Sequence, residues 1–497
     1  MYSFFTRLRQ TLHGWRALPP ALLSAIIVAC GGGYGSGGSS YVPPAGTAPV
    51  GVSVGAITGF GSVHLNGKKF ETTNTTIHVD GQAATQSDLH VGDVVEVRGH
   101  HDDATGKDVA DVIEMHSNVQ GPVASIDTTS QSLVVLGQKI LVSAGTTFDP
   151  AISPASLDGI KVGDILRVSG MPGANGDIDA TRIDLRPAGS PFHVIGIESA
   201  TDATGMTLAI NALVVDYSGA TLDGFPSTGP ADGDKIEASG TALDANGALV
   251  ATRLELRDGK ELQADHDGES EVEGLITRFA SATDFDVGGR AVTTDGSTQF
   301  DGGSAADLAL DVHVEAEGSI NASGVLAATR VRIEREADAR IFAQVDAVDA
   351  TAGTATLLGT KVTTGPMTRF EDRSSGHVDN FSLADVHVGD WLEVRGVAGS
   401  DHSIAATRIE RQDAATTVML AGKVDTATQP ALMMLGVQVS MAPTATFADT
   451  AGNAIDAATF FTGLAGKAAV VVGTWDGTTL TGSSAALGGT ESESHHD

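Results

Sequence analysis

HVGDVVEVRG at residues 90–99 returns almost unchanged as HVGDWLEVRG at 387–396, and in looser form as KVGDILRVSG at 161–170 and ADGDKIEASG at 231–240. After the Gly-Asp pair the string alternates with a period of two. Val95 and Val97 share one face, and Val94, Glu96 and Arg98 the other, the pattern of a strand with one buried side. The same inward face recurs at Leu166 and Val168, Ile236 and Ala238, Val314 and Ala316, Leu392 and Val394, and Ala469 and Val471. The Gly-Asp before it reads as a turn, with Gly supplying positive φ and Asp bonding to nearby backbone. Two copies lack the acid, having Asp311-Val312 and Gly466-Lys467 instead. A copied reactive site would keep it.

Working outward, units start at Gly55, Gly121, Gly196, Gly274, near Ala343 and at Gly422, each long enough for its own core. The units open on a Gly-x-[Ile/Val] strand start, as at Gly55, Gly121, Gly274 and Gly422, and a Gly-containing hairpin. A Thr-x-Phe plug follows, as at 298–300 and 368–370, then one helical turn and the Gly-Asp strand. The last strand carries Ala180-Thr181-Arg182, Ala251-Thr252-Arg253, Ala328-Thr329-Arg330 or Ala406-Thr407-Arg408. Its Ala and the aliphatic three residues on would face opposite ways in a regular strand, which calls for a bulge or for an Ala in a crowded outward contact. The arginine is expected to pair at the surface with outward acids of its own unit. Five short strands and one turn predict an all-β fold: a tandem array of about six small OB-like closed β-barrels, like beads on a chain.

The N-terminus is different. Arg7, Arg9 and Arg16 precede a short apolar stretch that ends at Ile27-Val28-Ala29-Cys30, the order of a secretion signal. It resembles the lipobox of bacterial lipoproteins, which implies cleavage before Cys30 and lipidation of that cysteine. Residues 1–29 are therefore read as a signal peptide and 30–51 as a Gly/Ser/Pro tether. Repeats follow at 52–119, 120–193, 194–271 (with an acidic linker), 272–341, 342–419 and 420–490 (divergent), and 491–497 form a disordered acidic and His-bearing tail. Cys30 is the sole cysteine, so no intrachain disulfide forms. Gly31 after it, rather than Asp, favours the outer membrane on the lipoprotein pattern.

The Gly-Asp strand, the A-T-R strand and the lipoprotein leader together resemble the bacterial family called domain of unknown function 5666, over roughly residues 52 to 420. The resemblance implies a secreted β-barrel repeat and brings no activity with it.

Among sites, Cys30 is the lipidation candidate and no catalytic residue is assigned. There is no His-Glu-x-x-His, no Gly-x-Ser-x-Gly elbow sits between a strand and a helix, and no cofactor is expected. Weak metal candidates are His100 and His101 in a hairpin loop and Asp265, Asp267 and Glu269 in the linker, where Asp-x-Asp-Gly is only a fragment of a calcium loop. Trp391, on the outward side of its strand, is the exposed aromatic to probe as a partner contact, and contact with a neighbouring barrel explains it equally well. A formal charge of −32 and three tryptophans argue against a nucleic-acid partner. The expected function is a lipid-anchored, non-enzymatic envelope protein, a multi-barrel scaffold or binding rod for an unidentified envelope protein or polymer. It would sit on the bacterial outer membrane, facing the periplasm or the cell surface. The alternative is a divalent-cation- or small-ligand-binding lipoprotein that uses acidic inter-barrel loops.

Overall fold

The computed structural model describes residues 51–488 except 144, 258–268, 336, 379–380, 451 and 465–466. The signal, Cys30, most of the tether, Asp265, Asp267 and the tail lie outside the described residues. The described chain is all-β and built of repeated domains.

Repeat 1 sets the pattern. Its opening strand Gly51–Gly59 pairs with Val63–Leu65, which pairs with Lys68–Glu71. That strand runs parallel to Lys107–Met115, which is antiparallel to the motif strand Val94–Asp102, and the motif strand returns to the opening strand. The same cycle of pairings recurs in repeat 2, repeat 3 and repeat 4. It recurs again in repeats 5 and 6. All the inward motif residues, from Val95 and Val97 to Ala469 and Val471, are buried. The expected helical turn is a 3-10 turn at Gln86–Asp88, Leu157–Gly159, Ala305–Asp307 and Leu383–Asp385, and an α-helix at Ala457–Gly463.

The bulge falls where the sequence allowed it. Register shifts lie at Arg98/Gly99, Ser169/Gly170, Ser239/Gly240, Glu317/Gly318, Arg395/Gly396 and Val472/Gly473. The residue left over is the Thr of A-T-R in repeats 2 to 5, Asp111 in repeat 1 and Ser483 in repeat 6. The threonine hydroxyl donates to the carbonyl across the bulge, Thr181 to Ser169 at 3.0 Å and Thr252 to Ser239 at 3.2 Å. The glycine is as necessary as the threonine. A Cβ on Gly99, Gly170, Gly240, Gly318, Gly396 or Gly473 would lie 2.0–2.4 Å from a carbonyl oxygen of the partner strand.

The repeats are not beads strung in sequence order. Repeats 1 and 4 share a sheet through parallel pairing of Ser53 and Val54 with Glu271 and Val272. Repeats 2 and 3 join through His193 and Gln120, and repeats 5 and 6 through Phe342 and Met419. Repeats 1, 2 and 4 meet at Ala56, Met171 and Leu275. The expectation of independent barrels touching only their chain neighbours fails because the opening strands of repeats 1 and 4, 2 and 3, and 5 and 6 pair edge to edge, and outward side chains of the repeat 2 motif strand, Ser169 and Arg167, bond to repeat 1.

Candidate functional site

The Gly-Asp turn is a backbone device. Gly92, Gly163, Gly233 and Gly389 all have φ between +92° and +97°, a region that side chains other than glycine adopt only at a cost. The aspartate that follows accepts from the N–H three residues back: His90 to Asp93 at 2.8 Å, Lys161 to Asp164 at 2.8 Å, Ala231 to Asp234 at 3.1 Å and His387 to Asp390 at 2.9 Å. In repeat 4 Asp311 itself takes the left-handed place, at φ +63°.

The A-T-R arginines divide into two kinds. Arg253 and Arg330 are half exposed and pair within their own repeat, with Asp223 and Glu255 and with Asp301 and Glu317. This is the surface pairing the sequence suggested. Arg182 and Arg408 depart from it, being 4% and 3% exposed at seams between repeats. Arg182 holds Asp184 and donates to the Val91 carbonyl of repeat 1. Arg408 pairs with Glu410 and Glu371 and donates to the Thr146 carbonyl of repeat 2. Arg369 donates to Gly145 at 2.9 Å and Arg373 to Phe148. Three guanidinium groups of repeat 5 thus satisfy one run of carbonyls on repeat 2, a use of charge-assisted bonds that outer-surface pairs lack. Burial raises the Glu393 carboxyl, but Arg395 and Arg340 outweigh it and hold it well below the carboxylate range.

The densest acidic group lies on the seam of repeats 1 and 4. Glu269, Glu271 and Glu273 alternate along the strand Glu269–Ser281, and Glu271 and Glu273 stand directly opposite Glu317 and Glu315 on His313–Ile320. Like charges opposite one another repel, so counter-charges are needed. Lys68 of repeat 1 reaches Glu271 at 2.6 Å and Glu269 at 3.2 Å, His313 lies 3.1 Å from Glu273, and Arg332 pairs with Glu315. Protons supply the rest. A hydrogen bond with Glu269, then burial, push Glu317 up to about 7, and burial with the neighbouring Glu271 and Glu273 pushes Glu315 up to about 8.

The metal candidates come apart in this setting. Glu269 begins a strand instead of lying in the linker, and it joins Glu271 and Glu317 within 4.8 Å. The Lys68 ammonium already bonds to two of these three carboxylates. His100 and His101 lie in the strand Val94–Asp102, not in a loop. They point to opposite faces, His100 to Asp111 at 2.9 Å and His101 to Asp108 at 2.8 Å, so they do not converge on one ion. Trp391 is not exposed: it is 8% accessible, with its ring 5.2 Å from Phe342. The sheet runs on into repeat 6 beyond Phe342, and the outward side beside that seam is covered. The bulge glycines, Lys68 and the socket described below were missed from sequence. The glycine at motif position ten was the available signal for the first of these.

These features define a class: an all-β protein of tandem repeats whose recurring polar residues form turns, bulges and seams. The model of the family described as domain of unknown function, DUF5666, matches residues 53–114, 120–184, 197–255, 273–332 and 343–410, and the chain belongs to that family. No curated protein matches it.

Proposed function

We propose that this chain is a lipid-anchored, non-enzymatic scaffold of the bacterial cell envelope, made of six OB-type barrels and tethered to the outer membrane through Cys30. The observation that supports it is the use of the two most repeated strings. Gly-Asp closes a turn and A-T-R fills a bulge and a seam, so neither leaves a recurring side chain free for chemistry. The scaffold differs from an extended rod, since repeats distant in sequence are joined. Its exposed faces are what it offers to an envelope protein or polymer.

Fractionation tests the anchor: the wild-type chain is expected in the membrane pellet and Cys30→Ser in the soluble fraction. A serine variant that stays with the membrane overturns the lipidation reading. Crosslinking in intact cells is expected to capture envelope components, while turnover in a broad screen of envelope polymers would overturn the non-enzymatic reading.

A further inference from the structure

One turn in this molecule is plugged into one socket, and the chain carries a second copy of each that is uncovered. The plug is His90–Asp93 of repeat 1. The Val91 carbonyl accepts from Thr147 Oγ1 at 3.0 Å and from Arg182 Nη1 at 3.2 Å, and the Val94 N–H donates to Ser169 Oγ at 2.8 Å. Gly92 sits so close that a Cβ on it would fall 2.3 Å from Thr147 Oγ1 and 2.5 Å from the Thr181 carbonyl. The socket on repeat 2 is therefore Thr147, Ser169, Thr181 and Arg182.

Repeat 3 has the same four residue types at the same register positions: Thr221, Ser239, Thr252 and Arg253. The internal wiring is also the same. Thr147 donates to the Thr181 carbonyl at 2.9 Å and Thr221 to the Thr252 carbonyl at 3.4 Å. Thr181 and Thr252 bond across the bulge as given above, and Arg182 and Arg253 each hold the acid two residues on, both at 2.7 Å. Here the set is open. The Arg253 side chain is 43% exposed against 5% for Arg182, and Thr221 and Thr252 are exposed. The other repeats break the set. Repeat 4 has Gln299, Glu317, Thr329 and Arg330, which line an open polar depression, and repeat 5 has arginine at the Thr147 and Ser169 positions.

The Lys161–Asp164 and Ala231–Asp234 turns are also uncovered, with Val162 65% exposed and nothing among the described residues within 4 Å of a Cβ on Gly163 or Gly233. The uncovered turn identical in all four residues to His90–Asp93 is His387–Asp390, and it is the plug. Gly389 has φ +95° against +92° for Gly92, and nothing among the described residues lies within 4 Å of a Cβ built on it. Val388 is 66% exposed, the most exposed of the large apolar side chains among the described residues. One contact does not carry over: Arg167 lies 3.5 Å from Asp93, while its counterpart in repeat 3 is Glu237, bound by Arg257. Asp390 keeps Arg411 of its own repeat at 3.7 Å.

We propose that the His387–Asp390 turn of one copy of this chain docks in the Thr221, Ser239, Thr252 and Arg253 socket of a second copy. Plug and socket are different surfaces, so the contact is head-to-tail and propagates into a ring or an open chain of molecules. One turn buries far less than the ~1,200 Å² of a stable interface. Each contact is weak, and assembly depends on concentration.

Sedimentation of the full chain in detergent from about 1 to 200 μM, the range where weak self-association shows, tests this. The average mass is expected to rise more than about twofold, past the dimer, as a propagating contact requires. Arg253→Glu and Thr221→Arg, which spoil the socket, and Val388→Glu, which spoils the plug, are each expected to stay monomeric with wild-type melting. Arg253→Glu mixed with Val388→Glu is expected to give a 1:1 dimer and nothing larger, since one intact plug meets one intact socket. A wild-type chain that stays monomeric, variants that associate as the wild type does, or a mixture that stays monomeric overturns the proposal. The Cys30→Ser result does not bear on it, so the two readings fail separately.

Discussion

Replacing Gly396 by alanine strikes the bulge of repeat 5 at its tightest point. The new Cβ would lie 2.2 Å from the Ala405 carbonyl oxygen and 2.7 Å from Ile404 Cγ2, where a carbon and an oxygen need about 3.3 Å. The strands must part by about 1 Å. That shift disturbs the pairing of Gly396 with Ala406 and of Val397 with Ala405, and with it the layer around buried Val394 and Ile409. Overpacking of this kind costs about 2–3 kcal/mol. If a joined pair of repeats melts as one unit, the midpoint falls by about 5–10 °C. Gly296→Ala is the control, because no atom lies within 4 Å of its Cβ and its φ is not positive; restricting the unfolded chain there is neutral or stabilising by up to about 1 kcal/mol. Melting curves by circular dichroism compare the two. If Gly396→Ala melts within about 1 °C of Gly296→Ala, the steric account of the motif glycine is wrong.

Further outcomes follow from the seams. Glu317 and Glu315 hold protons up to about 7 and 8 when folded, against an ordinary value of 4.5. The unfolded chain therefore loses protons first, and stability falls as pH rises from about 4.5 to 8, then levels off. Melting points between pH 5 and 9 are expected to show this slope, flattened in a Glu315→Gln/Glu317→Gln double variant. Asp372, held down to about 2 chiefly by Arg411 and Ser374 despite burial, acts oppositely: its contribution is complete above the ordinary 3.8 and disappears as pH falls towards 2. Arg408→Met leaves the Thr146 carbonyl unpaired in a buried seam and takes from Glu410 one of its two arginines, Arg373 staying at 3.1 Å, at a cost of about 1–3 kcal/mol; faster amide exchange in residues 145–148 of repeat 2 is the expected sign. Because Lys68 lies on Glu269 and Glu271, millimolar calcium is expected to leave the wild-type melting point unchanged but to raise that of Lys68→Met.

The inner half of the fold was legible because burial writes a period of two. Val95 and Val97 announced the motif strand, and the three-residue spacing of Ala180 and Ile183 called for a bulge or a crowded outward Ala, of which the register shows the bulge. The outer half was not legible. Glu315 and Glu317 alternate with buried Val314 and Ala316 on the outward side of their strand, yet Glu315 is 3% exposed, in the sheet that repeat 1 extends by pairing with Glu271 and Val272. Arg182 and Arg253 occupy equivalent places, each after Ala-Thr and two residues before an acid, and the turn of repeat 1 is docked on the buried one and not on the exposed one. Trp391 misled for the same reason. Periodicity reports which side of a strand faces its own core, and says nothing of what another repeat brings to the other side.

The parallel pairing of repeats 1 and 4 has a consequence for how the molecule is made. Chains emerge N-terminus first, and Ser53 waits for a partner, Glu271, that lies 218 residues later. Throughout that interval the backbone of Ser53 and Val54 is an open sheet edge, the kind that recruits strands from other chains. A product cut short anywhere in repeats 2 or 3 keeps that edge permanently. Synthesis into repeat 4 is thus a condition for covering the edge of the first repeat, and chains cut before it are expected to aggregate through their N-terminal repeat.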